Sequence, residues 1–357
     1  MFDGFTLRVL ALTVINAIRR MLKVPSLSSP ETGVISKCTV NADGFYFTFI
    51  EGEYYPSLNI RGSFHKFYCG GRNDTLFTFK DFKKAVKNFA KIYHISLADN
   101  LLQKQEIGVN LSVRSPEAII DAAVLYHGCT ATKGNTKRKQ YYKEWRFKEY
   151  IVKLYKKNDC LLRFEIRLTA VRQLRPLGMH CLADLMRKDV FVRGLARLLS
   201  SVNEFVFVPS MKDSLPEALK NKWLKWQNEK YWGRRLKPWK KSREKGQIQK
   251  AIKDYHLVDW KKFLFKKIFE QGAKMLETSP AELNAMFSAL GLQCEIFADN
   301  VCENLGVKKD SVNSGIFQTM SYATVANVWM TLLRDPELGY MFVHGGRGPP
   351  VHLPQMS

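Results

Sequence analysis

A tyrosine, a lysine and a carboxylate set close together in one short hairpin have the chemistry to cut a nucleic-acid strand. Residues 149–168, EYIVKLYKKNDCLLRFEIRL, read as two strands joined by a polar turn. Tyr155 closes the first strand with Lys157 two residues on, while Arg163, Glu165 and Arg167 alternate along the second. Alternation at period two puts those three on one face and Phe164, Ile166 and Leu168 on the other. A phenol is a weak nucleophile until a cationic neighbour or a metal-activated base helps it lose its proton. Tyr beside Lys, near a carboxylate able to hold a divalent metal, is therefore what cleavage through a phosphotyrosine needs. The same residues also suit a solvated hairpin edge. Tyr150, Tyr141 and Tyr142 are rival nucleophiles, and Glu165 between two arginines equally suits a structural ion pair.

Loop parity decides which way Tyr155 points, because residues directly opposite on an antiparallel pair share a face. A two-residue loop at Asn158-Asp159 pairs Tyr155 with Leu162 and sends it to the apolar side. A three-residue loop starting at Lys157 pairs it with Leu161 and joins it to Arg163 and Glu165. The catalytic reading requires the second register or a bulge of equal effect.

Strands are expected over residues 1–10, 33–39, 44–51 and 55–61, with a turn near Asp43-Gly44. Phe82, Val86, Phe89 and Tyr93 carry helical spacing, with Thr78 a suitable N-cap. Residues 103–113 alternate again, with Ile107, Val109 and Leu111 opposed to Glu106, Gly108 and Asn110. Pro116 opens a helix running to about residue 126, and residues 128–146 read as a basic loop. Helices near 182–187 and 191–201 and a strand at 204–208 follow, and from Pro216 onward the pattern is helical. The predicted fold class is α+β. An antiparallel sheet carries helices on one face and keeps an open DNA-binding face lined by Glu106, Asn110, Glu165 and Tyr155, and a helical basic C-terminal region follows.

The chain has 357 residues with 56 Lys+Arg against 33 Asp+Glu, a net charge of +23, and 46% hydrophobic residues. That composition supplies a core and predicts a polyanionic partner, nucleic acid or an acidic membrane surface. The apolar run at 9–18 is too short to span a bilayer and is closed by Arg19 and Arg20, so no membrane span is expected. Asp3 in the would-be n-region argues against a signal peptide. Seven scattered cysteines without a C-x-x-C pair suit reduced thiols, so a soluble protein of the cytoplasm is expected. The expected domains are 1–210, a helical basic extension over 211–340 and a flexible tail at 341–357.

Between Glu217 and Lys250 twelve Lys/Arg face three acids, interleaved with Trp223, Trp226, Tyr231, Trp232 and Trp239. Cations grip phosphate while aromatic faces stack bases or pack a neighbouring helix. Trp232, Arg234, Arg235, Lys237, Lys240 and Lys241 are the DNA-binding candidates here. The competing reading is a solvated basic helix whose tryptophans are core.

Several stretches together resemble the gene II-type rolling-circle replication initiators of filamentous phages, especially relatives in Bacteroidetes phage and plasmid elements. They are MFDGFTLRV at 1–9, YPSLNIRGSFHKFYCGG at 55–71, KQEIGVNLSV at 104–113, VKLYKK at 152–157, LLRFEIRL at 161–168 and LADL at 182–185. The resemblance covers roughly residues 1–210 and rests on the order and spacing of these stretches. It implies site-specific nicking and joining of single-stranded or supercoiled origin DNA through a 5′-phosphotyrosine, leaving a 3′-hydroxyl to prime synthesis by the host helicase and polymerase. Carried over by motif, Tyr155 is the nucleophile and Lys157 its cationic neighbour. Glu106 is a metal ligand with Glu165 a second candidate, and His65 and Lys66 contact DNA phosphate or metal. Arg163 is a further DNA-binding candidate on the same hairpin. Broader relatives bind metal through two histidines flanking one apolar residue, and no such triplet occurs here. A hard oxygen site on Glu106 and Glu165 would suit Mg²⁺ or Mn²⁺. The alternatives are a catalytically inactive DNA-binding replication regulator and, more remotely, a membrane-surface protein.

Overall fold

Alternating apolar residues need a sheet with one face against a core, and the computed structural model, which describes residues 1–24, 37–51, 56–132, 141–233 and 236–292, builds one. Its strands are β1 (Phe2–Val9), β2 (Lys37–Ala42), β3 (Phe45–Ile50), β4 (Ser57–Ser63), β5 (Leu101–Ser112), β6 (Ala123–Tyr126), β7 (Tyr142–Arg146), β8 (Tyr150–Asn158), β9 (Leu161–Leu168) and β10 (Phe205–Phe207). Eight of them form one sheet in the order β2-β3-β4-β1-β5-β9-β8-β7, and β10 pairs with β6. Every pairing is antiparallel. Asp43 and Gly44, at φ 50° and 78°, make the two-residue turn from β2 to β3, which needs positive φ at both positions.

The helices are α1 (Leu12–Met21), α2 (Phe64–Tyr68), α3 (Phe79–Ile92), α4 (Pro116–Ala122), α5 (Val171–Leu174), α6 (Leu182–Leu185), α7 (Lys188–Asn203), α8 (Glu217–Gln227), α9 (Pro238–Asp254), α10 (Trp260–Leu276) and α11 (Pro280–Ala289). Thr78 caps α3 as its sequence predicts, its hydroxyl accepting from the Asp81 amide at 3.1 Å. Phe82 and Phe89 of α3 are buried, as are Phe5, Phe45, Phe47, Ile60, Val109 and Phe164 on the apolar sheet face. Phe5 stacks on Phe64 of α2 at 4.2 Å, and Phe2 meets Phe191 of α7 at 5.4 Å. The opposite face carries Thr39, Tyr46, Arg61, Glu106, Lys153 and Tyr155, all at least partly exposed.

Three expectations need correction. The helix begun at Pro116 stops at Ala122, and Ala123–Tyr126 continue as β6, because an apolar run buried on all sides has no period to tell helix from strand. The expected basic loop hides β7, whose Lys143 and Trp145 point inward. The Lys143 ammonium is satisfied there by Glu229 at 2.7 Å and by the carbonyls of Asp121 and Ala123 at 3.1 and 2.9 Å. No break falls at residue 210. Val124, Leu125, Val206 and Val208 share one core cluster with Trp223, Trp226 and Trp232, and α10 packs on α7 and β5. Residues 1–292 are one compact unit, while the expected tail lies outside the described residues. No helix among the described residues is long and apolar enough to cross a membrane.

Candidate functional site

The β8–β9 hairpin adopts neither of the two expected loops. Asn158 pairs with Leu161 across a turn at Asp159-Cys160, and an irregularity between Lys156 and Asn158 inserts Lys157 as a bulge. The extra residue restores the phase that places Tyr155 opposite Arg163, on the polar face with Glu165. Glu106 on β5 stands opposite Arg167 of β9 and shares that face.

Tyr155, Glu165, Arg163 and Asp3 form a continuous chain of contacts. The Tyr155 hydroxyl donates to Glu165 Oε2 at 3.2 Å. Arg163 uses all three guanidinium nitrogens: Nε donates to Glu165 Oε2 at 2.8 Å, Nη2 to Asp3 Oδ2 at 2.7 Å and Nη1 to Asn110 Oδ1 at 3.1 Å. Asp3 also accepts from Ser63 and, at 3.2 Å, from Asn73 Nδ2. Asn73 lies between α2 and α3 and crosses to this face. Its backbone carbonyl accepts from Asn110 Nδ2 at 2.8 Å and from Lys157 Nζ, and its Oδ1 accepts from the same Lys157 Nζ at 2.6 Å. Glycine lets the strands carry this density. A Cβ at Gly108 would meet the Glu165 Cβ at 2.7 Å and the Phe164 carbonyl at 3.0 Å.

Burial governs the charges. Loss of water, then the Glu165 carboxylate, pushes the Tyr155 phenol well above its ordinary range. The Lys157 ammonium is brought down to about 8 by burial and by the Arg163 charge, leaving a fraction of neutral amine near physiological pH. Burial also opposes ionisation of Asp3, but Arg163 and the Ser63 hydroxyl outweigh it and hold the carboxyl below its usual value. Glu106 is raised, first by burial and then by the negative charge of Glu165, against the opposing pull of Arg167. Glu106, partly exposed, and Glu165, buried, repel one another and form a donor pair that a hard divalent cation would relieve, so their chemistry fits Mg²⁺ or Mn²⁺. Each already has an arginine partner, Glu106 with Arg167 and Glu165 with Arg163. Among the described residues no group of three or more His, Cys, Asp or Glu gathers as a metal site.

The structure therefore brings Tyr155, Lys157, Glu106, Glu165 and Arg163 together, and Arg163 is a buried hub, 2% exposed, that phosphate does not reach. His65 is buried beside them, its ring stacked on Phe77 at 4.5 Å and its Nε2 3.1 Å from the Thr75 hydroxyl. Burial takes its titration down to about 4, so at neutral pH it carries no charge for a phosphate. Lys66 is exposed on α2. Trp232 is a core residue: its side chain is fully buried and the indole donates to the Trp226 carbonyl at 2.7 Å, so it has no face for a base. Arg234 and Arg235 lie outside the described residues, Lys237 is exposed, and Lys240 and Lys241 are half-buried on α9.

Of the rival tyrosines, Tyr150 pairs with Leu168 on the helix-covered side under the Arg197 guanidinium, and Tyr141 bonds to Asp121. Tyr142 stands directly opposite Tyr155 on the polar face and is the one neighbouring alternative. Asp3 and Asn73 are absent from the sequence-derived set. Asp3 lies in the opening strand, but an isolated polar residue in such a strand carries no local signal of a partner 160 positions away. No protein-family model and no curated protein sequence matches the chain.

Proposed function

We propose that this protein is a replication initiator that nicks and rejoins one DNA strand through Tyr155. The observation that carries the reading is the Tyr155 hydroxyl donating to Glu165 at 3.2 Å on the polar face of the sheet, with Lys157 two residues away. In this reading Tyr155 Oη attacks phosphorus, Glu165 takes the phenolic proton, the bond to the 3′ oxygen breaks, and the proton passes to that oxygen as a 3′-hydroxyl. Lys157, when charged, neutralises the phosphate. Glu106 and Glu165 would hold Mg²⁺ or Mn²⁺, whose positive charge would stabilise the developing negative charge on the phosphoryl oxygens. Exposed Lys66 and Lys237 would contact the DNA backbone. Origin DNA of a phage or plasmid is the proposed substrate, in the bacterial cytoplasm, with the host helicase and polymerase acting next.

A specific observation favours a second reading. Both carboxylates are paired with arginine, an arrangement that also suits a DNA-binding regulator without chemistry. Incubation with single-stranded DNA and Mg²⁺ separates the two. A denaturation-resistant protein–DNA adduct, lost in Tyr155→Phe while binding survives, supports the nicking enzyme. A mobility shift without adduct supports the regulator. An undiminished adduct in Tyr155→Phe moves the nucleophile to Tyr142.

A further inference from the structure

The helices after residue 210 form a second polar feature that needs no chemistry at Tyr155. On α8, Trp223 and Trp226 turn inward, with the Trp223 indole donating to the Pro209 carbonyl at 2.9 Å. The Trp226 indole donates to Glu244 of α9 at 2.5 Å and so fixes the spacing of the two helices. What remains outside is basic. Lys222 and Lys225, one turn apart on α8, face Lys240 and Arg243, one turn apart on α9, across a groove of about 210 Å³.

None of these four cations makes an ion pair among the described residues, and the one carboxylate in the groove, Glu244, is buried and held by Trp226. Four like charges around one groove repel each other, and a polyanion that neutralises them releases its own condensed counterions. Beside the groove stands Trp239, 61% exposed, with the Arg243 guanidinium 5.4 Å from its ring centre. The other tryptophans of α8 and of the turn before α9 are buried, so the exposure of this ring is not a general property of the segment. An indole face next to a basic groove suits a strand whose bases are unpaired, since stacking needs a free base face.

We infer that the α8–α9 groove is a binding site for single-stranded polynucleotide, in which Lys222, Lys225, Lys240 and Arg243 hold backbone phosphate and Trp239 stacks a base. The site lies on elements other than the β8–β9 hairpin, and binding there can be measured whether or not Tyr155 is a nucleophile.

The test is fluorescence anisotropy with labelled oligothymidylate, oligouridylate and a mixed-sequence duplex, over a salt series and without divalent metal. Trp239→Ala is expected to weaken single-strand binding roughly tenfold and to leave duplex binding unchanged. Neutralising the four cations to Gln should flatten the log–log salt slope by about 0.7 for each lost contact. The control, Lys84→Gln with Lys87→Gln on α3, should leave the slope within about one contact of the parent value. The two oligonucleotides identify whether the strand is DNA or RNA. Bromouracil-substituted strands should cross-link at Trp239, and thermal melts check that each variant is folded. Equal weakening by the α3 control, single-strand binding unmoved by Trp239→Ala in a folded protein, or cross-links mapping only elsewhere would overturn the inference. Phosphatidylserine vesicles form a further arm, and a four-cation variant that loses vesicle binding without losing oligonucleotide binding would also overturn it.

Discussion

Lys157 is held by Asn73, whose side-chain oxygen accepts from Nζ at 2.6 Å and whose backbone carbonyl accepts from the same ammonium. The two residues are 84 positions apart, so the cation next to Tyr155 is positioned by the connection between α2 and α3 and not by its own hairpin. Asn73 also donates to Asp3, which ties the connection to the Arg163 cluster.

Asn73→Ala removes the side-chain contacts to Lys157 and Asp3 and keeps the backbone one. Unfolding free energy should fall by about 1–2 kcal/mol, since half-exposed bonds to charged groups contribute less than buried ones. Urea titration measures this, and an unchanged midpoint would mean water replaces both contacts without cost.

Arg163→Met strips Asp3 and Glu165 of their shared partner in a buried setting. A loss of about 3–5 kcal/mol is expected, because it is the uncompensated charge that costs. Adding Glu165→Gln should recover part of it, giving a non-additive double-mutant cycle. Strict additivity would show that the two residues are not coupled.

His65 makes the fold acid-sensitive. Its folded titration lies near 4 against an ordinary value of 6.5, so between those values the unfolded chain binds the proton and the folded one does not. Its contribution is complete above 6.5 and is lost as pH falls toward 4. His65→Gln should accordingly lose less stability than the parent between pH 6.5 and 4, and parallel curves would exclude His65 as the source.

Glu106→Gln keeps the shape of the side chain and removes the charge proposed to hold a cation. At fixed Mg²⁺ the rate of adduct formation should drop, with partial recovery as Mg²⁺ is raised. Full activity of the parent in excess chelator would remove the metal from the mechanism.

Much of the sheet was legible because alternation is a local signal. Residues 104–113 and 161–168 place Glu106, Asn110, Arg163 and Glu165 on one face, and the structure agrees. The phase of Tyr155 was not legible, since an Asn-Asp turn without glycine does not dictate loop length and a bulge leaves no mark on composition. β7 was hidden because Lys143 breaks the apolar alternation, and its partner Glu229 is 86 positions further on. The tryptophans of 217–250 divide into core and surface only in three dimensions. Nothing local sets the buried Trp232 apart from the exposed Trp239.

The bulge at Lys157 also separates the reactive part of the hairpin from its tip. Tyr155 is phased by pairs lying between it and the sheet's centre, Leu154 with Phe164 and Val152 with Ile166. The turn at Asp159-Cys160 lies beyond the bulge, and Cys160 is exposed there. Loop grafts or a thiol-reactive dye can therefore be placed at the tip without shifting the register of the tyrosine, which makes this hairpin a natural handle for watching a strand arrive.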